Sequence, residues 1–321
     1  MKADAIQYTP SANLTLSIVR KKFQRNGRNP NGLAVARGLS VEQDAVLQRI
    51  DEVLHLEEKQ YRLRNSSFYD HDASIRLPDL LSRPSIMGEA SKYSLVEKWP
   101  SRPSNVVLSF EDFRKFGIKF WFYADMYLSI EYMKTLPVFK HLCFDDQLAV
   151  CFTNVLKDSM LVASYYSFQK GVEDVIIYPD NWVAFQQHDV SSSLIEIEKE
   201  IRRGVVPEIC LLRPDKIEFS LLRMIGALNY TCVDGLSEAA QERLEVDCSR
   251  YQSALLVYLQ NKYGLNGTRR FAELLALLAL VSQRIRFNHE YFALKQCILK
   301  IPSPSTLFVE IMSKQLVPID A

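Results

Sequence analysis

From Ser109 to the end of the chain, apolar residues recur at a helical period with a single interruption, and this pattern most limits what the chain can fold into. Apolar side chains at i, i+3 and i+4 share one helix face, and successive faces of that kind are buried against one another. The spacing predicts helices over roughly 191–203, 215–231, 237–263, 268–287 and 289–300. An earlier helix begins at Ser40, where "SVEQ" matches a capping box. Val46, Ile50, Val53, Leu54 and Tyr61 keep its period to about residue 64. The interruption is "DVIIYPDNWVAF" (174–185), two β-prone runs around Pro-Asp-Asn, which reads as a small β-hairpin. The fold class is therefore all-α with one small β-hairpin.

Two stretches lie outside this pattern. Residues 1–39 are polar, Gly- and Pro-bearing and basic, and read as a mobile arm. The cluster "RKKFQRNGR" (20–28) suits a nuclear import signal, a phosphate-touching patch or a solvated linker. Residues 65–109 are rich in Ser, Pro and Arg and read as a long, partly ordered connector, unusual inside a compact domain. The ordered domain is expected over 40–321. Formal net charge is +1, which argues against nucleic-acid binding by bulk electrostatics.

The longest strongly apolar run, "LLALLALV" (274–281), is well short of a membrane span. Six scattered cysteines have neither paired nor zinc-ligand spacing, so a reducing compartment is expected and no metal or cofactor. There is no Gly-rich phosphate loop, no GxSxG elbow and no HExxH. His141–Cys143 offers two ligand types without further partners nearby, and Asp70–Asp72 lies in the polar connector. No enzyme is predicted.

The C-terminal "PSTLFVEIM" (304–312) reads as a separate short helix. Pro302 and Pro304 end whatever precedes it, and Ser305 or Thr306 caps it. Leu307, Phe308, Ile311 and Met312 then share a face, with Glu310 at its edge. A helix this short has to dock on something.

Residues 132–169, "YMKTLPVFKHLCFDDQLAVCFTNVLKDSMLVASYYSFQ", resemble the signature of nuclear hormone receptor ligand-binding domains, in the divergent form seen in nematodes. The matching elements are Lys134, Pro137, Phe139, Leu142, Asp146 and Gln147. "DKIEFSLLRMIGAL" (215–228) resembles the family's eighth helix and "TRRFAELLALLALVSQRI" (268–285) its tenth. "PSTLFVEIM" falls where the family keeps its activation helix, so 305–313 is assigned that place. The resemblance implies a three-layer antiparallel helical sandwich and a Glu218–Arg270 ion pair.

It also implies a nuclear transcription module that recruits LxxLL coactivator or corepressor helices. Glu310 would hold the bound helix's N-terminal amides and Lys134 its C-terminal carbonyls, over an apolar floor of Ile130, Leu148 and Leu307. Each charge-assisted grip is worth about 1–3 kcal/mol.

Ile118, Trp121, Phe122 and Asp125 share one helix face, and the resemblance implies that they line a ligand pocket, with Tyr165 and Phe168 on the central helix. Asp125 interrupts an apolar stripe: it hydrogen-bonds a small lipophilic ligand, pairs within the core or is solvated. By resemblance, 268–285 is a homo- or heterodimer surface, and otherwise a core helix. The family's zinc-finger DNA-binding module has no counterpart in these residues, so zinc and DNA contact are expected only of such a module. The alternative reading is a constitutive interaction module with a filled pocket and no ligand response.

Overall fold

The structure is a computed structural model that describes residues 41–70, 72–103, 108–185, 192–296 and 305–313. The basic arm and Ser40, the capping residue of the "SVEQ" box, lie outside the described residues. Among the described residues the helices are α1 (Val41–Arg64), α2 (Leu77–Ser82), α3 (Phe110–Phe116), α4 (Trp121–Met133), α5 (Pro137–Lys140) and α6 (Phe144–Gln169). They continue as α7 (Ser192–Arg203), α8 (Val206–Leu212), α9 (Lys216–Ala227), α10 (Glu238–Tyr263), α11 (Gly267–Leu294) and α12 (Thr306–Ser313).

They stack as a three-layer, all-α antiparallel sandwich. α6 and α9 form the middle layer: α6 packs on α4 to one side and α11 to the other, and α9 lies between α1 and α11. Local chemistry fixes the helix starts. Ser109 and Asp112 close a capping box on α3, as do Asp215 and Glu218 on α9. Asp146, in the first turn of α6, accepts from both the amide (2.9 Å) and the hydroxyl (2.7 Å) of Ser237, the N-cap of α10. One carboxylate thereby ties two helix N-termini together. Gly267 lets α11 begin close against α10, since a Cβ there would sit 2.7 Å from the backbone of Gln260.

Three expectations need revising. Segment 174–185 turns back through two backbone bonds, from the Tyr178 amide to the Trp182 carbonyl and from the Asn181 amide to the Tyr178 carbonyl (both 2.9 Å), but forms no strand. Its rings pack on α4 instead, with Tyr178 stacked on Trp121 and Trp182 edge-on to Phe122. The helices expected over 268–287 and 289–300 are one: α11 runs unbroken through Phe287 and Asn288 to Leu294. Tyr61 is exposed, although its spacing matched the buried face of α1.

Buried charge also crosses the layers. Arg223 on α9 makes two bonds to Asp158 on α6 (2.8 and 2.7 Å) and one to Glu57 on α1 (2.9 Å), all three side chains being buried. No helix among the described residues is long and apolar enough to cross a membrane.

Candidate functional site

The C-terminal helix α12 docks beside α11 and α6. Leu307, Ile311 and Met312 are buried. Phe308 packs its ring against Phe120 (5.6 Å) and Phe292 (5.9 Å). Two polar contacts fix its ends: the Thr306 amide donates to the Ala73 carbonyl (2.9 Å), and His289 Nδ1 lies 2.9 Å from the Met312 carbonyl. Ile130 and Leu307 belong to the same apolar core, with half-buried Leu148 packed against it.

The connector between α1 and α4 runs across this surface, and its middle is helical. Leu77–Ser82 forms α2, a 3₁₀ turn follows at Ile86–Lys92, and Ser66 and Leu95 form an isolated antiparallel bridge. Six residues do not hold a helix in water. Leu77 and Leu80 are fully buried and Leu81 packs half-buried against the core. Each fully buried leucine contributes about 1.5–3 kcal/mol, which offsets the cost of ordering the segment. Pro78 stands at the start of α2, where its fixed φ suits a helix and its missing N–H costs nothing.

The ends of α2 are satisfied from outside. Its N-cap, Arg76, makes no side-chain capping bond. Glu310 on α12 supplies the acceptor: it takes the Leu77 amide at 2.8 Å and the Arg76 Nε at 2.6 Å. At the other end Lys134, the C-cap of α4, donates to the Leu80 carbonyl at 2.7 Å. Lys134 is itself held by Glu131 at 2.7 Å. The other Glu131 oxygen takes the Ile86 amide (2.8 Å), and its backbone carbonyl takes the Ser85 hydroxyl (2.8 Å). An acid and a cation on two different helices thus grip the two ends of one short helix, as unsatisfied amides and carbonyls require.

Neither Glu131 nor α2 was identified from sequence as part of this site. The signal for α2 was present: Leu77-Pro-Asp-Leu80-Leu81 is itself an LxxLL sequence.

The residues read as pocket-lining are engaged by protein partners. Asp125 is buried and bound in two bonds by Arg64, to Nε at 2.7 Å and Nη2 at 3.0 Å. Trp121 is fully buried between Trp99 and Tyr178, and Tyr165 stacks on Phe219 at 3.6 Å with Phe168 beside it. Ile118 is buried and Phe122 half-buried. Glu218 accepts from Arg270 (2.9 Å), and also from Lys262 and Tyr263.

Lys119 is buried beside Arg64, Asp125 and Trp121, donating to the carbonyls of Leu63 and Arg64 at 3.2 and 2.9 Å. Burial, then the neighbouring Arg64 cation, pushes its amine down to about 7, against the attraction of Asp125. Between that value and the ordinary lysine value, the unfolded chain holds a proton that the folded chain lacks. The penalty is full below pH 7 and is relieved as pH rises, so stability climbs by up to about 1.4 kcal/mol per pH unit. Urea unfolding at pH 7 and pH 9 is expected to show this gain in the native chain and not in Lys119→Met. Equal gains in both would assign the rise to other groups.

An all-α, three-layer antiparallel sandwich of this kind is the fold of the ligand-binding-domain class of nuclear receptors. The profile of the "Ligand-binding domain of nuclear hormone receptor" matches residues 109–298, and the chain belongs to the nuclear hormone receptor family. It is similar to the Caenorhabditis elegans nuclear hormone receptor family member nhr-60, 26% identical over 262 residues, which are 77% of this chain and 56% of that protein. Similarity to nhr-27 of the same organism is 26% over 231 residues, 69% and 60% of the two chains. For nhr-153 it is 24% over 165 residues, 51% and 40%. The chain thus spans about two-fifths to three-fifths of the curated relatives it matches.

Proposed function

We propose that the chain is the co-regulator-recruiting domain of a nuclear transcription factor, taking up LxxLL helices from coactivator or corepressor proteins between Lys134 and Glu310. The observation that carries this is the grip on α2: Glu310 takes its first amide at 2.8 Å and Lys134 its Leu80 carbonyl at 2.7 Å. The same two groups suit any leucine-rich helix of that length. α12 is the element whose position regulates the site, because Glu310 reaches the groove only while α12 is docked.

The engaged state of Asp125, Trp121 and Tyr165 favours a second version of this reading, a constitutive module that no small lipophilic ligand switches. α11 turns Ala272, Ala276 and Ala279 outward and is the proposed dimer face over 268–285. Contact with DNA falls to a zinc-finger module, for which the cysteines here lack the spacing.

The test is fluorescence anisotropy with labelled LxxLL peptides, on the full chain carrying Leu77→Ala and Leu80→Ala so that its own helix leaves the groove. Adding Lys134→Ala or Glu310→Ala is expected to weaken binding tenfold or more, about 1.4 kcal/mol. Equal binding with and without these changes would remove both residues from the site.

A further inference from the structure

We propose that α2 is a resident occupant of the co-regulator groove, an LxxLL helix supplied by the chain itself, and that an incoming helix binds only by displacing it. This rests on the reading of the groove given above and adds how the groove is regulated. The sequence Leu77-Pro-Asp-Leu80-Leu81 carries the leucine spacing that the groove takes. Leu77 and Leu80 are buried, and both ends of α2 are held by the two groups that would hold a partner's helix.

The segment after α2 is stitched down separately, through Ser85 and Ile86 to Glu131. Arg83, whose guanidinium is exposed, adds only long pairs at 3.8–3.9 Å to Asp70 and Asp72. Release therefore need not unfold the strap's far end. Lys134 keeps its Glu131 partner when α2 leaves, so its ammonium remains in place for a second helix. A tethered helix acts at an effective concentration in the mM range, so one with an intrinsic Kd of about 100 μM outcompetes free solution about tenfold.

This mechanism has a signature that simple recruitment lacks. Lys134 and Glu310 serve the resident and the incoming helix alike. In the native chain, Lys134→Ala weakens both, and the two losses largely cancel in the apparent affinity. In the Leu77→Ala/Leu80→Ala chain the competitor is gone and the whole loss appears.

Anisotropy with a labelled LxxLL peptide is expected to give a Kd at least tenfold tighter for Leu77→Ala/Leu80→Ala than for the native chain. Lys134→Ala is expected to cost less than threefold in the native background and tenfold or more in the released one. Equal affinity of native and released chains, with Lys134→Ala costing tenfold in both, overturns resident occupancy and leaves recruitment standing. No peptide binding in either chain, up to millimolar concentration, overturns both readings.

Because the double substitution removes two buried leucines, hydrogen exchange on the native chain decides independently of its folding. Saturating peptide is expected to speed exchange of the amides of Leu77 and Asp79–Ser82 at least tenfold, while α4 stays protected. Unchanged or slower exchange there with peptide bound would overturn the proposal.

Discussion

Arg223→Ala is expected to lower the stability of the folded chain by about 3–5 kcal/mol, a large part of the margin a domain usually has. The guanidinium is fully buried, makes two bonds to Asp158 and one to Glu57, and lies 3.8 Å from the centre of the Tyr132 ring. Without it two carboxylates from α6 and α1 stay in the core, with the Tyr166 hydroxyl still donating to Glu57. Burying unpaired charge costs far more than the pairing gained, so the loss exceeds that of an exposed salt bridge. Arg223→Lys is expected to recover little, because a point charge cannot reproduce a planar fork against two acids. Urea unfolding followed by circular dichroism reads both variants. An Arg223→Ala chain within 1 kcal/mol of the native one would show that this network does not hold the three helices together.

Such a network is invisible in sequence, and the reason is separation. Glu57 and Arg223 are 166 positions apart and Asp158 and Arg223 are 65 apart, and nothing in the local pattern selects one acid among many. The helices themselves were legible because their signal is local: apolar period, and prolines such as Pro302 and Pro304 between elements. Legibility failed where tertiary contact outweighs local preference. The β-prone runs at 174–185 found aromatic partners on α4 in place of each other. The polar residues near 288 did not end α11, since Asn288 and His289 are buried and His289 meets the Met312 carbonyl.

Lys134 and Glu310, which meet the two ends of α2, were singled out through resemblance, because each sits in a short motif with fixed neighbours. What lies between them was not. The stretch from Arg76 to Ser82 has weak periodicity, a proline and only six helical residues, and it reads as connector by every local measure. It is helical because Leu77 and Leu80 find a core and Glu310 and Lys134 find its ends. Reading the LxxLL motif of the proposed partner helices back onto the chain would have found it, which is a question about complementarity and not about secondary structure.

Asp125→Ala is the second large effect, again expected at about 3–5 kcal/mol, and it bears on whether a small molecule enters this domain. Arg64 lies 5.5, 5.1 and 5.9 Å from the ring centres of Trp121, Tyr166 and Tyr178, and Asp125 is its bidentate counter-ion. The single change strands the guanidinium among apolar rings. Arg64→Met strands the carboxylate and is expected to cost a similar amount. Combining Arg64→Met with Asp125→Leu removes both charges at roughly constant volume and is expected to return the chain to within about 2 kcal/mol of native, since a buried pair is often replaceable by packed apolar groups. Set against the single Arg64→Met and Asp125→Leu losses, that non-additivity is the mark of a structural pair. A neutral ligand hydroxyl recruited to Asp125 would have to displace a doubly bonded cation, and one hydrogen bond does not offset two charge-assisted ones. If Asp125 anchored a ligand instead, Asp125→Ala would abolish ligand-induced thermal stabilisation while leaving the ligand-free chain close to native stability. Thermal melts of the two single variants and the double variant separate these outcomes: a deep single loss that the double change repairs assigns Asp125 to the core, and a shallow one returns it to the pocket.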